Sequence, residues 1–124
     1  YINMEFTGIW VDVPSTYTQQ FGSVQWGGFI DIVQPILRKK MFGWKNASLN
    51  LALRAEYVDW NIGNFNETGG DMVEDVLAIT PGISFRPSRQ TVIRVNYKYQ
   101  WTRDILGNPP SKTGGFQFGI ASYF

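Results

Sequence analysis

The sequence predicts an all-β chain whose antiparallel strands cross a lipid bilayer as part of a transmembrane β-barrel. Three observations carry that expectation. Six segments alternate apolar and polar residues with period 2, the signature of a strand with two unlike faces. Aromatic residues reach 16% of the chain, with five Trp, six Tyr and nine Phe, more than a small soluble core readily buries. No run approaches the ~20 consecutive apolar residues of a membrane helix, so any crossing must be made by strands, whose alternation hides them from a hydropathy plot.

Each segment shows its faces plainly. In 2–12, Ile2, Met4, Phe6, Gly8 and Trp10 oppose Asn3, Glu5 and Thr7. In 23–33, Val24, Trp26, Gly28, Ile30 and Ile32 oppose Gln25, Gly27, Phe29 and Asp31. The third, 48–60, sets Leu49, Leu51, Leu53, Ala55 and Tyr57 against Ser48, Asn50, Ala52, Arg54 and Glu56. The fourth, 76–86, sets Leu77, Ile79, Pro81, Ile83 and Phe85 against Ala78, Thr80, Gly82 and Ser84. In 91–101, Ile93, Val95, Tyr97, Tyr99 and Trp101 oppose Arg94, Asn96, Lys98 and Gln100. In 113–124, Phe116, Phe118, Ile120 and Phe124 oppose Gly115, Gln117, Gly119, Ala121 and Tyr123. These runs match the ~9–11 residues of a tilted membrane strand and exceed the ~5–6 of an ordinary globular one. Pro81 removes a ladder donor in mid-strand, so a bulge is expected there.

The connections alternate in character. Arg86-Pro87-Ser88-Arg89-Gln90 reads as a tight turn, while 13–22, 61–75 and 102–112 are long and rich in Gly, Asn, Pro and Thr. With the carboxyl end in the periplasm, the three long loops lie outside the cell, as barrels of this kind place them. The segment 34–47, with Arg38-Lys39-Lys40, reads as a long solvated connection, the alternative being a stretch lying on the membrane surface. Six strands are too few to enclose a filled interior. The chain, 1–124, is therefore expected to be the C-terminal portion of one larger barrel domain. It opens directly on strand-like sequence with no signal-peptide pattern, which suits a mature form or a fragment.

Composition narrows the chemistry. With no Cys and no His, neither disulfides, nor thiolate or imidazole metal sites, nor Ser–His and Cys–His nucleophiles are available within these residues. A net charge of +1 argues against nucleic acid as a partner. Glu56 and Asp59 fall on opposite strand faces, and Glu67 and Asp71 in a loop, so neither pair invites carboxylate catalysis. Asp71, Glu74 and Asp75 form a weak candidate for an oxygen-ligand cation site. Asn46-Ala47-Ser48 and Asn66-Glu67-Thr68 match the glycosylation pattern and read as coincidences. No enzyme activity and no cofactor is expected.

The informative constellation is the set of charges on the polar faces: Glu5, Asp31, Arg54, Glu56, Arg94 and Lys98. In a barrel these line the lumen, where mixed charge sets ion preference. Arg54, Arg94 and Lys98 are expected to bias a pore mildly towards anions, opposed by Glu5, Asp31 and Glu56. Aromatics gather at segment ends, with Trp10, Tyr57, Trp60, Tyr99 and Trp101 towards the outer side and Phe85 and Phe124 towards the inner. Two belts at headgroup level are thereby expected.

The stretch 49–61 containing LALRAEYVDWN, then ITPGISFRPSRQTVIRVNYKYQW and the closing FGIASYF, resembles the C-terminal part of bacterial outer-membrane porins of the phosphate-selective type. Arg54, Glu56, Tyr57 and Asp59 match an R-x-E-Y-x-D strand, Gly82 and Pro87 a G-x-x-x-x-P hairpin, and Phe124 the terminal aromatic. The resemblance implies an outer-membrane location and a barrel of about sixteen strands, often trimeric. It also implies passive diffusion of small hydrophilic solutes or ions, and recognition of the last strand by the barrel-insertion machinery. Two other readings stay open: a structural barrel subunit of a larger outer-membrane complex, and a soluble all-β carbohydrate-binding module.

Overall fold

A computed structural model describes residues 1–17 and 20–123. The chain is all-β and antiparallel, with strands β1 (Ile2–Trp10), β2 (Val24–Met41), β3 (Trp44–Asn64), β4 (Asp71–Met72), β5 (Asp75–Arg86), β6 (Thr91–Thr102) and β7 (Ser111–Ser122). One sheet runs β1-β2-β3-β5-β6-β7, and the short β4 pairs with the end of β3. The sheet is open: β1 and β7 form its two edges. Phe124 lies outside the described residues.

Registry preserves the two faces across every strand. Met4 stands opposite Ile30, Ile30 opposite Ala55, Ala55 opposite Ile79, and Ile79 opposite Tyr99. Val95 and Tyr97 then stand opposite Phe118 and Phe116. A one-residue slip would send a whole apolar row to the other side, so the pattern read from sequence and the observed pairing are one constraint. Four cross-strand pairs set an aromatic beside a glycine: Phe6 and Tyr57 with Gly28, Trp26 with Gly8, and Tyr99 with Gly114. At Gly28 the approach is so close that a Cβ would lie 2.6 Å from the Glu5 carbonyl oxygen and from the Phe6 ring. Gly28→Val should therefore push β1 off the sheet edge and destabilise it by about 1–3 kcal/mol, measurable as a lowered midpoint of denaturant unfolding. An unchanged midpoint would show that β1 is not held in this register.

Three expectations need correction. The segment 34–47 is not a loop: β2 and β3 run on as a ribbon, closed by Phe42-Gly43 between the paired Met41 and Trp44. Both turn residues have positive φ, 51° and 85°, the type I′ geometry whose twist suits a two-residue hairpin. The usual Asn-Gly signal is missing because Phe42 occupies the first position, where its ring meets Phe85 edge-on at 5.9 Å. Second, Pro81 makes no bulge. Register is unchanged on both its sides, from Ile79↔Tyr99 to Gly82↔Asn96, and Pro81 itself stays paired with Leu53. Only the rungs from Thr80 and Pro81 to β6 are missing, so the absent donor costs local pairing and not an extra residue. The irregularities fall instead in the pairing of β2 with β3, between Val24 and Trp26, Pro35 and Leu37, and Lys39 and Met41. Third, 61–75 is partly ordered, since Gly63 and Asn64 pair with Met72 and Asp71.

This sheet has almost no interior. Ala47, Met72 and Ala78 are the buried apolar residues among those described, and no large side chain is fully buried. The accessible surface is 9035 Å², against about 6,800 Å² for a compact globular chain of this mass. Even in the central strands the apolar row is uncovered, with Leu51, Leu53 and Ile83 exposed at 45%, 44% and 49%. An apolar face of this extent exceeds the patches that soluble monomers usually leave exposed.

Candidate pore-lining face

The polar face curls into a trough of about 960 Å³, walled by side chains from β2, β3, β5, β6 and β7. Small residues on β5 leave room across it: Ala78, Thr80 and Gly82 stand between the longer side chains of β3 and β6, and Thr80 lines the trough. Across the trough the charges pair. Asp31 and Arg54 are directly opposed on β2 and β3, and the guanidinium meets the carboxylate through two bonds of 2.7 and 2.8 Å. The same guanidinium lies 4.3 Å above the Phe29 ring, a cation–π contact that fixes its plane. Lys98 reaches from β6 over the small β5 residues to form an ion pair with Glu56. Asn50 donates to Ser84 Oγ at 3.1 Å nearer the tight-turn end.

Of the six charged residues singled out in the sequence, Asp31, Arg54, Glu56, Arg94 and Lys98 line this trough. Glu5 lies on the same face but in a second, smaller groove beside β1. Pairing changes their meaning, because Arg54 and Lys98 are neutralised by Asp31 and Glu56 and leave Arg94 as the cation of the original trio without an acidic partner among the described residues. Sequence reading missed the larger feature. Arg38, Lys39, Lys45, Arg86 and Arg89 also border the trough, so its turn end carries six cations with no ion-pairing carboxylate among the described residues. The Arg-Lys-Lys run was visible, but its place on a strand ribbon beside the Arg86–Gln90 turn depends on the register of β2 with β3.

The opposite face is bounded by aromatics and then by polar clusters. Along β3, Leu49 to Tyr57 spans about 26 Å at ~3.3 Å per residue. At a barrel tilt of ~40° that gives roughly 20 Å of apolar height, of the order of the ~25 Å band of outer-membrane barrels. At the loop end, Trp26 and Tyr57 rings lie 5.1 Å apart, and Tyr99 meets Trp101 edge-on at 4.6 Å. The Tyr57 hydroxyl donates to Asp75 Oδ2 at 2.7 Å, while Asp75 also pairs with Arg103. An amphipathic ring with its body on the apolar face and its hydroxyl in a polar cluster is what an interface favours. Trp10 is exposed at the end of β1, and Phe85 sits at the turn end against Phe42. Trp60 departs from this set. It lies at the loop end as expected but borders the small groove on the polar side, because it stands at an even position of β3, on the same side as Arg54 and Glu56.

Three long connections are tied to one another at the loop end. The Asn61 amide donates to the Gln20 carbonyl at 3.0 Å and to Glu74 Oε2 at 2.9 Å, and its oxygen accepts from the Gly22 N–H at 2.5 Å. Val73 bridges to Leu106 in parallel. Within 103–110, Asp104 accepts from the Asn108 side chain at 2.8 Å and from two backbone N–H groups. These donors, the Asn108 amide first, hold its carboxyl below the ordinary aspartate value. Asp71, Glu74 and Asp75 do not converge on a cation site: Asp71 accepts from Asn64, Glu74 from Asn61, and Asp75 from Tyr57 and Arg103. Among the described residues no group of three metal-ligating side chains comes together. No family model, curated protein or solved structure matches the chain.

Proposed function

We propose that this chain supplies strands to a transmembrane β-barrel of the bacterial outer membrane, and that its trough is part of the wall of a passive diffusion channel for small hydrophilic solutes or ions. One observation carries the reading. A single sheet presents an uncovered apolar row on every strand of one face and ion-paired charges across the other. Lipid outside and water inside satisfy both faces at once. A soluble carbohydrate-binding sandwich would need a second sheet over the apolar face.

The two free edges suit closure by further strands. The path contains six strands, so β1 and β7 run antiparallel to each other. Their apolar rows belong to the same face, and strand pairs can be inserted between them without reversing any side chain. A barrel of about sixteen strands, association as a trimer, and recognition of the last strand by the insertion machinery belong to this proposal. It includes no catalysis and no cofactor.

Step-like single-channel currents from the purified full-length protein in planar bilayers are the expected result. A barrel that inserts but never conducts would favour the structural-subunit reading instead. Orientation is tested on intact cells: Asn108→Cys should label with an impermeant thiol reagent, and Ser88→Cys should be protected. The reverse pattern would invert the topology.

A further inference from the structure

The smaller groove on the polar face is chemically unlike the trough beside it. It measures about 310 Å³ and is bordered by Ile9, Phe29, Val58 and Trp60 together with Glu5, Thr7 and Gln25. Among its lining residues there is no Lys or Arg, whereas the turn end of the trough is strongly cationic. Gly27 lines the groove without filling it, since a Cβ there would already touch Val58 at 3.0 Å. Phe29 is held in place by the Arg54 guanidinium stacked on its ring, and Arg54 is itself fixed by Asp31. An apolar aromatic lining is thus preorganised on the face otherwise given to charge.

We infer that this groove is a binding subsite for a neutral pyranose sugar. A pyranose has one face of C–H groups and a rim of hydroxyls. The first suits an aromatic surface such as Trp60 and Phe29, and the second suits the carboxylate of Glu5 and the amide of Gln25 as hydrogen-bonding partners. The absence of a lining cation selects against anions, and the volume stands at the lower bound of small-ligand sites. The inference rests on the polar face being the water-filled side of the proposed channel.

Saturation-transfer NMR on the full chain, folded in detergent micelles, reads the contact directly. With glucose and maltotriose as probes, transfer should reach the ring C–H protons, and sorbitol, which has no ring face, should receive none. Trp60→Ala should reduce the transfer at least fivefold. Glu5→Leu, at an exposed position of the edge strand β1, should reduce it at least twofold. Equal transfer to sorbitol, or transfer unchanged in both variants, would overturn the subsite. Conductance without sugar transfer removes the subsite and leaves the channel standing; sugar transfer in a protein that never conducts removes only the channel.

Discussion

Leu53→Arg will block membrane insertion, while Ala52→Arg, one residue away on the same strand, will permit it. Leu53 stands midway along the apolar row of β3, opposite Ile32 and Pro81. A cation facing lipid at that depth costs about 2–4 kcal/mol in a barrel, which is roughly a 30- to 800-fold shift in the folding equilibrium. Ala52 faces the trough, opposite Val33 and Gly82, where an added guanidinium reaches water. Heat-modifiable gel mobility after refolding into vesicles measures both variants. Equal insertion of the two would remove the distinction between the faces, and failure of Ala52→Arg alone would reverse it.

Replacing Arg86, Arg89 and Arg94 together by Glu should abolish the anion preference, since Arg38, Lys39 and Lys45 then face three carboxylates. Those side chains border the end of the trough where no carboxylate offsets them, and the substitution changes the charge there by six. A permeating ion passes such groups within about one Debye length, ~8 Å at physiological salt, so their field acts on it with little screening. Arg54 and Lys98 contribute less, because each is already paired with a carboxylate. Glu56→Gln supplies the complementary measurement: freeing Lys98 should deepen the anion preference. Reversal potentials in a salt gradient report both. If the triple variant keeps the wild-type potential, the constriction lies on strands other than these.

Which strands form, and which face of each is apolar, follow from residue types at alternating positions. Leu49 to Tyr57 and Leu77 to Phe85 show it without any tertiary knowledge, since a period of two leaves each side chain only two directions. The loop-rich and turn-rich ends were legible as well, from Gly, Asn and Pro content. What the sequence could not decide was every property that depends on register. Nothing local says that Lys98 spans β5 to reach Glu56, because that contact joins residues 42 apart in the chain and exists only if Ala78 and Thr80 are small and lie between them. The ribbon of β2 and β3 was hidden because Phe42 adopts a left-handed conformation that sequence preference assigns to Asn or Gly. Trp60 stands on the side of Arg54 and Glu56 by the alternation itself, and what the assembled sheet adds is the grouping of Ile9, Phe29 and Val58 beside it. Alternation is a local property, fixed by the pleat of a single strand. The pairing of charges, and hence the field along the trough, is fixed by how strands are slid against one another, which only the assembled sheet decides.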